Sequence, residues 1–121
     1  MQNERADKME DRLIDFGASI ILLVAKLPRT HAGIHIGSQV LRPGTSPAPN
    51  YGEARGAESR ADFIHKLNIA LKELNETKIW LRMIVRARLL AEPLVHEVQD
   101  ECQQLARLLN ASVQTARRNG G

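Results

Sequence analysis

The chain has 121 residues, 43% of them apolar and 26% charged, with a formal net charge of +3. That length suits one ordinary domain, spanning 1–121, and the balance excludes a wholly disordered chain. A single cysteine, Cys102, excludes an internal disulfide framework and a cysteine-based zinc site. Aromatic residues make up only 3%, so the core has to be built from aliphatic side chains, and 15 Leu with 14 Ala favour helices. A pI near 9.4 permits a polyanionic partner without demanding one. The first turn, Asn3 to Lys8, is mixed in charge and unlike a signal peptide. The longest apolar stretch, Phe16 to Leu27, contains Lys26 and falls short of the roughly 20 residues that span a bilayer. A cytoplasmic protein with no membrane partner is the expectation.

The spacing predicts a first helix over 4–27. Met9, Leu13, Phe16, Ile20, Leu23, Val24 and Leu27 follow the three-and-four rhythm of an amphipathic helix, with Asn3 as N-cap and Pro28 as stop. The run Ile20-Ile21-Leu22-Leu23-Val24 covers the whole circumference, which predicts burial on a second side. The next segment, 31–57, is expected to be a helix with a break. Ile34, Ile36, Val40 and Leu41 give it a face, while Pro43, Gly44, Pro47 and Pro49 interrupt it near Arg42 to Thr45. Ser46 is expected to cap the restarted piece, with Pro47 in its first position. A third helix is predicted over 60–90, opened by Ser59-Arg60-Ala61-Asp62, a capping-box variant, and lined by Phe63, Leu67, Ala70, Leu74, Leu81 and Ile84. A fourth spans 92–118, with Leu94, Val98, Cys102, Leu105, Leu109 and Val113 as its stripe and Asn119-Gly120-Gly121 as its end. Long helices with short connections and no strand pattern predict an antiparallel up-down-up-down four-helix bundle, all-α.

Three stretches carry a family resemblance: Val40 to Ser46, Ala57 to Leu67, and Ala70-Leu71-Lys72-Glu73 with Asn75 to Leu81. Over residues from about 10 to 115 the chain resembles the four-helix-bundle protein family of 23S ribosomal RNA intervening sequences. The resemblance implies a small, all-helical, oligomeric protein with no enzymatic activity. A related branch, the accessory proteins of diversity-generating retroelements, forms pentameric barrels that engage a reverse transcriptase and nucleic acid. A pentamer, RNA or DNA, and a partner protein such as a reverse transcriptase are therefore what the resemblance implies. Pro47 and Pro49 depart from the commoner pattern, where small or aliphatic residues often stand.

Chemistry-bearing residues are sparse. His31 and His35 lie one turn apart without a third ligand, and Asp62 with His65 makes only one of the paired motifs that di-metal bundles use. Glu53, Glu58, Glu73 and Glu76 come without a nucleophile or phosphate loop. Glu73 and Glu76 are expected to pair with Arg42, Arg55 or Lys72 instead, and Cys102 to be a small core residue. No catalytic residue, metal or cofactor is expected. The informative charges are Lys78, Arg82 and Arg86, spaced by four, with Arg88 behind them and no acid before Glu92. In an up-down bundle Lys26 and Arg29 join them, making one end basic. Such an end either contacts nucleic-acid phosphates or is simply solvated, its cations complementing helix C-termini. Ile21, Leu22, Ile79 and Met83 exceed a single buried face and are the expected oligomer contacts. Two functions remain open: a nucleic-acid-associated accessory protein, or a protein–protein adaptor.

Overall fold

In the computed structural model, which describes residues 3–119, the Ala6 N–H donates to Asn3 Oδ1 at 3.0 Å and opens α1 (Glu4–Ala25). The last turn tightens: Lys26 and Leu27 donate three residues back, to Leu23 and Val24, and the chain leaves the helix two residues before the predicted end. Pro28 disfavours a helical Leu27, yet Leu27 stays buried against the core.

Thr30 caps α2 (His31–Thr45) by accepting from the Gly33 N–H at 3.1 Å. The inner face of α2 corrects the sequence reading. Val40 is buried and Ile36 partly so, but Ile34 is 64% exposed, and Leu41 also faces out. Their places inside are taken by Gly33, Gly37, Pro43 and Gly44. A Cβ on Gly44 would stand 2.7 Å from Ile20 Cγ2, and one on Gly33 would collide with the Pro28 carbonyl. The two backbones approach so closely that glycine does the packing.

The predicted interruption is present at Ser46, within the Pro43 to Pro49 stretch, but by a different device. Pro43 sits inside α2, and α3 (Pro47–Arg55) begins directly after Ser46. Ser46 is no cap: its φ of −73° and ψ of −34° are helical, and its side chain takes no backbone N–H. Its N–H donates to the Arg42 carbonyl at 3.1 Å, its carbonyl accepts from the Asn50 N–H at 3.2 Å, and its Oγ accepts from Asn50 Nδ2 at 2.8 Å. Prolines at 43, 47 and 49 each remove one ladder donor, so the axis is jointed without leaving helical geometry.

Ser59 does cap α4 (Arg60–Arg86), accepting from the Asp62 N–H at 3.0 Å. The helix ends four residues before the predicted Leu90. Leu89 N–H bonds the Ile84 carbonyl and Arg88 N–H the Val85 carbonyl, both at 3.0 Å, around Arg88 at a φ of 59°. That is a Schellman closure with arginine where glycine is favoured. In α5 (Glu92–Asn119) the buried stripe starts at Val95 and not at Leu94, which is 53% exposed; Cys102, Leu105, Leu109 and Val113 are buried as expected. Seven residues back from Cys102 is Val95, so the heptad spacing was the better guide. Gly120 and Gly121, expected to end this helix, lie outside the described residues.

The limbs α1, α2–α3, α4 and α5 pack in that cyclic order, with α1 and α4 on one diagonal and α2–α3 and α5 on the other. This is the up-down-up-down bundle. Its core is Leu13, Phe16, Ile20, Val40, Leu67, Leu74, Leu81, Ile84, Leu105 and Leu109 with their neighbours. The α1–α2 and α4–α5 turns lie at one end, called upper below; the start of α1, the α3–α4 turn and the finish of α5 lie at the lower end. Among the described residues no helix is long and apolar enough to cross a membrane.

Candidate nucleic-acid interface and oligomer face

Helix direction decides which cations meet. Lys26 is the C-cap residue of α1 and Arg29 follows in the turn, while Arg86 and Arg88 end α4; all four are exposed at the upper end. Arg82 is exposed one turn lower. Lys78 stands two turns below the end, half-buried toward α5, where its charge opposes the burial that pushes the Cys102 thiol up to about 12. That thiol, donating to the Leu74 carbonyl at 3.2 Å, is a core residue and no nucleophile at neutral pH.

Four cations in the bundle's body are engaged differently. Arg12 grips Glu101 through Nε at 3.0 Å and Nη2 at 2.7 Å, tying α1 to α5. Arg55 holds Asp7 at 2.8 Å and Glu10 at 2.6 Å, and Lys66 holds Glu53 at 2.7 Å. Arg42 of α2 reaches Glu73 at 2.7 Å and Glu76 at 3.1 Å on α4, the pairing expected between those helices. Hydrogen bonds to these carboxylates raise the pKa of all four cations. Glu76 also accepts from Trp80 Nε1 at 3.0 Å, and that bond, then Arg42, holds its carboxyl below the ordinary value. Glu73 is buried, so Arg42 matches a charge with little water around it. These carboxylates are structural links between limbs. None of Lys26, Arg29, Lys78, Arg82, Arg86 and Arg88 has a carboxylate partner among the described residues.

The remaining polar candidates are dispersed. His31, His35, His65 and His96 are exposed, and Asp62 serves the start of α4. No three His, Cys, Asp or Glu side chains converge among the described residues.

The apolar excess does reach the surface. Ile21 is 53% exposed, Leu22 65%, Ile79 51% and Met83 46%. Because α1 and α4 are diagonal, these form two separate patches. The first is larger than the sequence reading allowed, since Ile14, Ile34 and Leu41 are exposed too. Gly17 lies against Gly44 and Thr45, and Gly37 against Val24 and Leu27, a register that sets Ile21 beside Leu41 along the outside of the α1–α2 seam. The spacing by seven of Ile14 with Ile21, and of Ile34 with Leu41, was the available signal. The second patch, Ile79 and Met83, runs beside Arg82 and Arg86 on the outer side of α4.

Residues 8–111 match the family model for the 23S rRNA-intervening sequence protein. The chain belongs to that family. A crystal structure of a protein of unknown function from the S23 ribosomal protein family, from Bacteroides thetaiotaomicron, is similar at 35% identity and a TM-score of 0.82. The match covers 87% of this chain and 97% of that one. No curated protein matches the chain. The family match takes in all four limbs and both apolar patches, together with every residue of the basic end.

Proposed function

We propose that this family member is a non-enzymatic, cytoplasmic, oligomeric accessory protein that contacts nucleic-acid phosphates through its upper end. The observation that carries the reading is the set of exposed cations there, held by no carboxylate among the described residues, beside an exposed apolar strip on the same helix. Two different patches on diagonal limbs suit a head-to-tail contact that closes into a ring; five subunits is what the family resemblance implies. A ring would bring Arg82 and Arg86 to each subunit boundary and repeat the cationic end around its rim, multiplying weak phosphate contacts. The one aromatic ring near that end, Trp80, is partly buried and donates to Glu76, so the contact reads backbone charge and not sequence. Arg88 adds to the case, because it occupies a left-handed position that glycine would fill with less strain.

The test combines mass and salt. Light scattering is expected to give a multiple of 13.5 kDa, reduced by Leu22→Glu with Met83→Glu. RNA or DNA affinity is expected to fall with salt by about 0.7–0.9 log units per log unit for each phosphate neutralised. Arg82→Gln with Arg86→Gln should flatten that slope without changing the oligomer mass. Arg88→Gly is expected to raise stability by roughly 1 kcal/mol while weakening binding, which separates charge from folding. If the Arg82/Arg86 variant binds as wild type does, a protein–protein adaptor, with a partner such as a reverse transcriptase, replaces this reading. A monomer at all concentrations removes the ring.

A further inference from the structure

At the lower end, below the Arg12–Glu101 pair, α1 and α5 are no longer bridged. The first turns of α1 and the last turns of α5 leave an open groove of about 1300 Å3, floored by α3 and the start of α4. That exceeds the roughly 300–1,000 Å3 of small-molecule pockets and has the form of a trough. Five cations line it, Arg5, Lys8, Arg12, Arg55 and Arg60, and no carboxylate does. Arg12 is held by Glu101 and Arg55 by Asp7 and Glu10, whereas Arg5, Lys8 and Arg60 have no such partner among the described residues. The α5 wall is low, built from Ala111, Ser112, Thr115 and Ala116.

A second observation lies in the floor. Tyr51 is only 8% exposed, yet its hydroxyl bonds no other described residue and is not sealed from solvent, so it opens onto the groove. Burial raises its pKa, which keeps the phenol a neutral donor. The hydroxyl is therefore open to a ligand that accepts its hydrogen bond. Half-buried Phe63 and the partly exposed Leu108 add apolar surface beside it.

We propose that this groove docks an acidic amphipathic helix from a partner protein. The walls run from Asn3 to Arg12 on α1 and from Leu108 to Asn119 on α5, about 14 and 17 Å at the helical rise, which accommodates about three turns. Small side chains on α5 let a helix axis come close, its apolar face settles on Phe63 and Leu108, and its carboxylates meet Arg5, Lys8 and Arg60. The Tyr51 hydroxyl donates to a carboxylate or a terminal carbonyl of that helix. Above Arg12 the same seam turns acidic, with Asp15, Glu97, Asp100 and Glu101 around a smaller hollow, and like charge limits how far the docked helix extends. A nucleic-acid strand fits less well, because Tyr51 is too deep to stack and Phe63 is the one aromatic ring left for a base. This site is independent of the phosphate contact proposed for the opposite end.

The experiment selects peptides of about 16 residues from a displayed random library on the full chain, then measures the winners by fluorescence anisotropy. Peptides with Asp or Glu on one helical face and Leu or Ala on the other are expected. Their affinity should fall at least about tenfold with Arg5→Glu, Lys8→Glu and Arg60→Glu combined, and about threefold with Tyr51→Phe. Tyr51→Phe should leave the melting temperature unchanged, since the hydroxyl has no partner to lose, and Arg82→Gln with Arg86→Gln should leave affinity unchanged. Selection of basic or neutral peptides, or full affinity in the charge-reversed variant, overturns the proposal. So does an RNA oligonucleotide that displaces the peptide and itself depends on Arg5, Lys8 and Arg60. Loss of self-assembly in the charge-reversed variant would assign the groove to a second copy of the chain, and would overturn it equally.

Discussion

The two hairpins of this bundle solve the same packing problem in opposite ways. Between α4 and α5 the contact is made by branched side chains, Leu67, Leu74, Leu81 and Ile84 against Val95, Leu105, Leu109 and Val113, and neither helix contains a glycine. Between α1 and α2 the contact is nearly backbone to backbone: a Cβ on Gly17 would touch Thr45 Cα at 3.7 Å, and Gly44 rests on Ile20. One hairpin is sensitive to losing volume and the other to gaining it. Leu105→Ala should cost about 2–5 kcal/mol through a cavity that α4 and α5 cannot close. Gly44→Ala should cost about 1–3 kcal/mol from overpacking, reduced by up to about 1 kcal/mol of helix propensity. Ile20 is branched at Cβ and fully buried, so it has no room to swing aside. Urea unfolding of both variants checks the pair; a neutral Gly44→Ala would show that the α1–α2 contact is looser than described.

This contrast also explains how much the sequence revealed. Hydrophobic periodicity registers large apolar side chains, so it located α4 and α5, most of their buried stripes, with Leu94 in place of Val95, and the bundle that follows from four long helices. In α2 it found the inward Val40 but was misled at Ile34 and Leu41, which face out, because Gly33, Gly37, Pro43 and Gly44 fill the other inward positions. The basic end was legible because charge spacing and helix direction need no side-chain geometry. The lower groove was not legible: Arg5, Lys8, Tyr51, Arg60 and Thr115 are scattered along the chain, and only the parting of α1 from α5 brings them together.

The two serines that precede helices sharpen the comparison at smaller scale. Ser59 sits in extended geometry and its hydroxyl accepts from the Asp62 N–H, whereas Ser46 is helical and its hydroxyl accepts only from the Asn50 side chain. Ser59→Ala should therefore cost about 1 kcal/mol, the usual loss of an N-cap. Ser46→Ala should stay within about 0.5 kcal/mol of wild type, as surface changes away from special features do. Equal losses at the two positions would restore Ser46 as a cap and make the α2–α3 joint a true helix stop.

The smallest effect lies in the polar link that fastens one hairpin to the other, Arg42 of α2 with Glu73, Glu76 and Trp80 of α4. The Trp80 indole N–H, and after it Arg42, hold the Glu76 carboxyl below its ordinary value. The unfolded chain then binds the proton more readily than the folded one. Stability contributed by Glu76 is thus fully present above the unfolded carboxylate value of about 4.3 and is lost as pH falls through the lower folded value. Melting temperatures measured between about pH 7 and about pH 3 should drop less in Trp80→Phe, which keeps the ring but removes the donor, than in wild type. Arg42→Met should show a smaller drop as well, but the two differ in salt. The Arg42 side chain is 63% exposed, so added salt should mimic its removal, while the bond from the uncharged Trp80 donor is little screened. If wild type and both variants lose the same stability on acidification, the Glu76 carboxylate does not join the hairpins.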